Sequence, residues 1–119
     1  MRADFKSISA AARALKRDPA NQLLAALYAL GQGHGTLLRH EKRAWASITF
    51  AGSRHTLAFR FAGVAGVEAG ERFVAALPEH EFAIPKRLVA DAAIVAVRHV
   101  LLPEPKLEVE CELLVLDED

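Results

Sequence analysis

Two runs of strand-forming residues, 45–51 and 54–61, flank the dipeptide Gly52-Ser53. A two-residue loop with glycine in the first position is typical of a type II′ β-hairpin turn. Because side chains alternate between the two faces of a sheet, such a turn also fixes which residues share a face. The sequence therefore predicts an antiparallel hairpin with a defined register.

The predicted register gives the hairpin an apolar face and a polar face. The apolar face, expected to lie in the core, consists of Ala46, Ile48, Phe50, His55, Leu57, Phe59 and Phe61. The polar face consists of Trp45, Ser47, Thr49, Arg54, Thr56 and Arg60. It sets Trp45 opposite Arg60, an arrangement suited to cation–π stacking. Since interface cores are enriched in Trp and Arg, the polar face is the candidate interaction face.

A second hairpin is predicted near the end of the sequence. Residues 107–115 alternate between apolar side chains and Glu108, Glu110 and Glu112, as expected of a strand with one buried face. The preceding segment, 88–102, is almost wholly apolar and lies between two prolines. Pro85 could begin a helix there, but the β-branched valines favour a strand. Residues 103–106 would form the turn, and Arg54 and Arg60 are candidate partners for the glutamates.

Three helices are predicted from apolar periodicity. Residues 7–17 place Ile8, Ala11, Ala12 and Leu15 on one face. Asp18 and Pro19 suit the cap and first position of a second helix, which ends at about Leu30 before Gly31. Residues 67–77 form the third helix, ended by Pro78.

The length of 119 residues supports a single domain, residues 1–119, of the α+β class. An N-terminal helical pair (1–31) would form an arm. A glycine-rich hinge or linker (32–43) would join it to a sheet-plus-helix core (44–119). In that core, a mostly antiparallel sheet of two hairpins would pack against one short helix.

Charge and hydropathy narrow the classes of partner. The formal net charge is zero, yet residues 1–60 carry ten basic and three acidic side chains, and residues 61–119 carry five and twelve. Because one compact domain forces its halves together, we expect these charges to pair across adjacent strands. A neutral total disfavours a nucleic-acid partner, and no apolar run approaches the ~20 residues that cross a bilayer. We therefore expect a cytoplasmic protein that does not associate with membranes.

No motif predicts catalysis, a metal or a cofactor. His40-Glu41 and His80-Glu81 begin like a zinc-binding H-E-x-x-H motif, but Ala44 and Ile84 stand where its second histidine is needed. A single cysteine, Cys111, excludes an internal disulfide and a Cys-rich zinc site. We therefore predict no catalytic, metal-binding or cofactor-binding residues, and the sequence favours a protein that is not an enzyme.

The function that these patterns favour is a small, non-catalytic, homo-oligomeric binding or interaction module. We expect a homodimer, held by the helical pair or by the face of Trp45. One alternative is a small-ligand or acyl-group enzyme with a site at a subunit interface, using His34, His40 or His99 and an acid from 104–112. Another is a weak nucleic-acid-associated module using the basic residues Arg39, Lys42, Arg43, Arg54 and Arg60.

Overall fold

A computed structural model describes residues 19–118, which form two α-helices, one 3-10 helix and a four-stranded antiparallel sheet. In chain order the elements are α1 (Pro19–Leu30), β1 (Thr36–Ala46), β2 (Ala51–Ala62), α2 (Gly63–Ala76), the 3-10 helix (Leu77–Glu79), β3 (Arg87–Val100) and β4 (Lys106–Asp117). The strand order is β1-β2-β4-β3. The α+β class and an antiparallel sheet are thus confirmed, whereas the predicted helix over 7–17 lies outside the described residues.

The first hairpin turns at a different place from the one predicted. Ala46 pairs with Ala51, so the turn spans residues 47–50 and Gly52 lies inside β2. The Ser47 N–H donates to the Phe50 carbonyl oxygen at 2.8 Å, and the Phe50 N–H donates to Ser47 Oγ at 3.1 Å. Ser47 therefore closes the turn through both its backbone and its side chain, as short polar residues commonly do. The predicted Gly52-Ser53 turn is wrong.

The corrected turn changes the predicted faces. Arg60 pairs with Thr36, and Trp45 pairs with Gly52, so the expected Trp45–Arg60 stacking is wrong. Ile48 and Phe50 belong to the exposed turn instead of the core. The β2 half of the apolar face is correct, because His55, Leu57, Phe59 and Phe61 are all buried.

Residues 36–43, predicted as part of a hinge or linker, belong to β1. This strand pairs with β2 along its whole length, with one bulge between Leu37 and Arg39. Its apolar residues do not alternate, because β1 lies at the sheet edge and most of its side chains are exposed. An edge strand rich in charge lacks the periodic signal by which strands are recognised.

Both helices pack on the same face of the sheet. Leu23 and Leu27 of α1 and Phe73 of α2 are each 1% exposed. They join a core with β2 and β4 whose buried members include Leu57, Phe59, Phe61, Leu107, Val109, Cys111 and Leu113. Residues 19–30, the described part of the predicted helical arm, therefore pack against the sheet through Leu23 and Leu27.

The second hairpin follows the prediction closely. The odd-numbered residues of β4, from Leu107 to Val115, are buried, and Glu108, Glu110 and Glu112 point to the opposite face. The ambiguous segment 88–102 is largely strand β3. Residues 81–84 have no regular secondary structure. The third helix begins earlier than predicted, at Gly63, and ends in the 3-10 helix that contains Pro78.

Candidate interaction surfaces

The sheet face opposite the helices, called here the open face, is not covered by any element within residues 19–118. The structure distributes the six residues of the candidate interaction face unevenly. Arg54, Thr56 and Arg60 lie on the open face in β2, whereas Ser47 and Thr49 lie in the turn. Trp45 is half-buried in β1, opposite Gly52.

Cross-strand ion pairs join the basic and acidic halves of the chain on this face. Glu108 of β4 accepts from Arg60 of β2 at 3.0 Å and from Arg98 of β3 at 2.9 Å. Arg39 of β1 reaches Glu110 of β4 at 3.2 Å. The hydrogen bonds from Arg98 and Arg60 hold the pKa of Glu108 below its usual value. Two of these pairs, Arg60–Glu108 and Arg39–Glu110, therefore join the basic half of the chain to its acidic half across the sheet, as expected.

Arg43 and Arg54 break this pattern. They are directly opposite each other in the β1–β2 register, where like charges disfavour strand pairing. Neither forms an ion pair with another residue of the described range. They line a shallow cavity of about 170 Å³ together with Glu41, Lys42, Thr56 and Glu112. Of the two arginines expected to pair with the β4 glutamates, Arg60 does so and Arg54 does not.

Two histidines meet on the helix-covered side of the sheet. His40 Nε2 and His55 Nδ1 lie 2.8 Å apart, a distance at which one nitrogen donates to the other, and the rings stack at 5.1 Å. Burial, with smaller contributions from the charges of His40 and Lys42, lowers the pKa of His55 to about 4. Burial and Lys42 also lower the pKa of His40. Both imidazoles are therefore neutral at physiological pH, so this pair is a satisfied polar contact in the core.

The three histidines of the enzyme hypothesis lie apart from one another in the structure. His34 follows α1, His40 contacts His55, and His99 lies on β3 in register with Leu107. His40 and His99 thus occupy opposite edge strands of the sheet. Within residues 19–118, no group of three or more His, Cys, Asp and Glu side chains could hold a metal ion. Burial raises the pKa of the Cys111 thiol to about 12, which makes it a poor nucleophile.

Large apolar side chains are exposed at opposite ends of the sheet. Ile48 and Phe50 project from the β1–β2 turn, and Leu101 and Leu102 from the β3–β4 loop. The register sets Ala46 beside Ala51 at one end and Val100 beside Lys106 at the other, so the two hairpins turn at opposite ends. Exposed apolar clusters at such tips are typical of protein–protein contacts. Neither cluster was predicted from the sequence, because Ile48 and Phe50 were expected in the core and Leu101 and Leu102 in a strand.

Comparison with known proteins adds a likeness of fold. No protein family model and no curated protein matches the sequence. Among solved structures, a chain from the virion of a native gene transfer agent particle is similar, with a TM-score of 0.57 and 12% sequence identity. The match covers 77% of this chain and 85% of that chain. At this identity the likeness establishes a shared fold. In addition, neither helix of residues 19–118 is long and apolar enough to span a membrane.

Proposed function

We propose that this chain is a structural subunit of a virion-like particle, which acts by binding copies of itself and other protein chains. The observation that carries the proposal is the fold shared with a chain of the gene transfer agent virion over most of both lengths. A fold alone does not assign a function. The surface chemistry supplies the second line of support.

The dimensions of the protein suit a subunit that presents broad surfaces. Its extents are 48 × 46 × 21 Å, so it is a thin plate. The helices cover one side of the sheet, and no element of residues 19–118 covers the other. In a plate of this kind the open face, both sheet edges and the two apolar hairpin ends are available to neighbouring chains. Such surfaces favour assembly over the enclosure of a substrate.

Within this proposal the smallest assembly is a homodimer formed in the cytoplasm.

The open face supports a nucleic-acid-associated role less well than it supports binding to other protein chains. Two of the five basic residues considered for that role, Arg39 and Arg60, contact Glu110 and Glu108, so their charge is neutralised by the protein itself. A phosphate backbone would have to displace these glutamates.

Fractionation of cells that express the gene tests the proposal. Nuclease-resistant particles are collected by sedimentation, and the chain is measured by quantitative mass spectrometry in the particle and soluble fractions. We expect the chain in the particle fraction, at a fixed ratio to the other particle proteins across preparations. A denaturant-disrupted sample is the control, in which the chain should return to the soluble fraction. Finding the chain only in the soluble fraction of cells that make particles would contradict the proposal.

A further inference from the structure

The outer edge of β3 differs from the outer edge of β1. Within residues 19–118, β3 pairs with β4 on one side and with no strand on the other. Its central residues, Ala92–Val97, carry no charge, and Val95 and Val97 are 47% and 48% exposed. By contrast, β1 carries charged or titratable side chains at every position from Arg39 to Arg43. Charges protect an edge from pairing with another chain, and an uncharged β-branched edge invites it.

The faces of β3 follow from its register with β4. Asp91, Ala93, Ala96 and Arg98 pair with even-numbered β4 residues and share the open face. Ala92, Ile94 and Val97 pair with odd-numbered β4 residues and share the helix-covered face. Val95 is the extra residue of a bulge between Ile94 and Ala96. Without Val95, the segment 91–98 has seven positions centred on Ile94.

This arrangement is self-complementary in an antiparallel pair. If two copies of the segment meet about a two-fold axis at Ile94, Ala93 lies opposite Ala96 and Ala92 lies opposite Val97. Each pair then stays on one face, as sheet geometry requires. In the same register Asp91 of each copy lies opposite Arg98 of the other. The uncharged centre is therefore flanked on each side by one ion pair between Asp91 of one copy and Arg98 of the other.

We propose that β3 pairs antiparallel with β3 of a second copy of this chain, about a two-fold axis at Ile94. The two four-stranded sheets then form one sheet of eight strands. This inference rests on the proposed function, since it names the surface through which the subunit associates with itself. The interface is isologous, so every contact occurs twice.

The charges available at this edge fit the pairing. Arg98 contacts Glu108 through Nη2, but its side chain is still 71% exposed. Asp91 is exposed and forms no ion pair with any residue of the described range. Placing Asp91 beside Arg98 of the partner subunit extends the Arg60–Glu108–Arg98 network across the interface. Pairing also satisfies backbone groups of the two edges on either side of the Val95 bulge, and Val95 and Val97 lose exposed surface.

A charge-reversal series measured by sedimentation velocity tests the register. Asp91→Arg sets two arginines opposite each other twice in the dimer, so we expect the dissociation constant to rise by at least about tenfold. The double variant Asp91→Arg/Arg98→Asp restores opposite charges and should recover most of that loss. Glu81→Arg, an equal charge change at an exposed position outside β3, is the control and should leave dissociation unchanged. Circular dichroism verifies that each variant folds.

The outcomes separate this inference from the proposed function. If the wild type associates but Asp91→Arg has no effect, or the double variant is no tighter than Asp91→Arg, the β3 pairing is wrong and self-association stands. If the wild type is a monomer at every concentration, self-association fails as well. Hydrogen exchange gives an independent readout, because pairing should slow exchange of the outward-facing amides of 92–97 as concentration rises. Unchanged exchange there, in a sample shown to be dimeric, would overturn the pairing.

Discussion

At the scale of single residues, Gly52 shows how one position can be important for a reason other than the one its type suggests. Glycine beside serine indicates a turn, because glycine adopts positive φ at low cost. In the structure Gly52 lies in β2, between β1 and β4. It pairs with Trp45 of β1 on one side and with Leu116 of β4 on the other. A Cβ atom there would lie 2.0 Å from the Val115 carbonyl oxygen. Gly52 is needed because β4 approaches its backbone closely.

Gly52→Ala should therefore destabilise the protein although alanine tolerates strand geometry. The added carbon meets backbone atoms, which cannot move aside as a flexible side chain can, so we expect a loss of about 1–3 kcal/mol in the free energy of unfolding. Urea denaturation measures it. Ser53→Ala, at the next position of β2, is the matched control and should change that free energy by less than about 0.5 kcal/mol. Equal stabilities for the two variants would show that β4 does not pass so close to Gly52.

His55 gives the stability of the protein a dependence on pH. Its pKa is about 4 in the folded chain, against an ordinary value of 6.5. The unfolded chain therefore binds a proton between pH 6.5 and pH 4 that the folded chain does not bind. Stability is then full above pH 6.5 and falls as the pH drops toward 4, by up to about 3 kcal/mol. The lowered pKa of Glu108 acts at lower pH, below the ordinary value of 4.5.

Denaturation in urea at pH 7, 6, 5 and 4.5 measures this dependence. We expect the free energy of unfolding to decrease over that range in the wild type, and to decrease less in His55→Gln, which cannot titrate. His80→Gln, at an exposed histidine, should keep the wild-type slope. A His55→Gln slope equal to that of the wild type would show that His55 is not the group responsible.

At the scale of elements, α2 is positioned by close contact between its backbone and the sheet. A Cβ at Gly70 would lie 2.8 Å from Phe61 and 2.9 Å from Leu107. Phe73, one turn further along α2, packs against Phe59 and Phe61 at centroid distances of 5.7 and 5.5 Å. The helix therefore rests directly on the ends of β2 and β4. This close packing accounts for the burial of Gly70, Phe73 and Leu77.

The elements that the sequence predicted well are those with one buried face. In β4 the alternation of Leu107, Val109 and Cys111 with glutamates follows from a central strand whose sides meet core and solvent. In β1 no such alternation exists, because the strand lies at an edge and keeps its charges in solvent. The turn was misplaced for a related reason. A Ser47 side chain that closes a four-residue turn is a weaker signal than the glycine that follows it.

The candidate interaction face was only partly predictable. Arg54, Thr56 and Arg60 share a face because they alternate within β2, which local sequence determines. The positions of Trp45 and the turn residues depend on the register between β1 and β2, so an error in the predicted turn misplaces all of them. The β3 edge could not be recognised from the sequence alone, because being at an edge is a property of the strand order. Only the assembled sheet shows which apolar strand has an unpaired side.

At the scale of the whole molecule, the formal net charge of zero is the sum of basic strands and an acidic strand. The basic strands β1 and β2 and the acidic strand β4 lie beside one another, and their side chains pair on the open face. The result is a thin plate with little net charge to repel another copy. Two apolar hairpin ends and an uncharged edge add surfaces for contact. These features together support the proposed role of the chain as a subunit that binds neighbouring chains.

Sedimentation velocity of the purified wild-type protein tests self-association most directly. The chain has a mass of 12.9 kDa, so association should raise the weight-average mass well above that value as concentration increases from about 1 to 100 μM. The midpoint of that rise gives the dissociation constant, and a dimer is the first species expected. A single species of 12.9 kDa at every concentration would contradict the account.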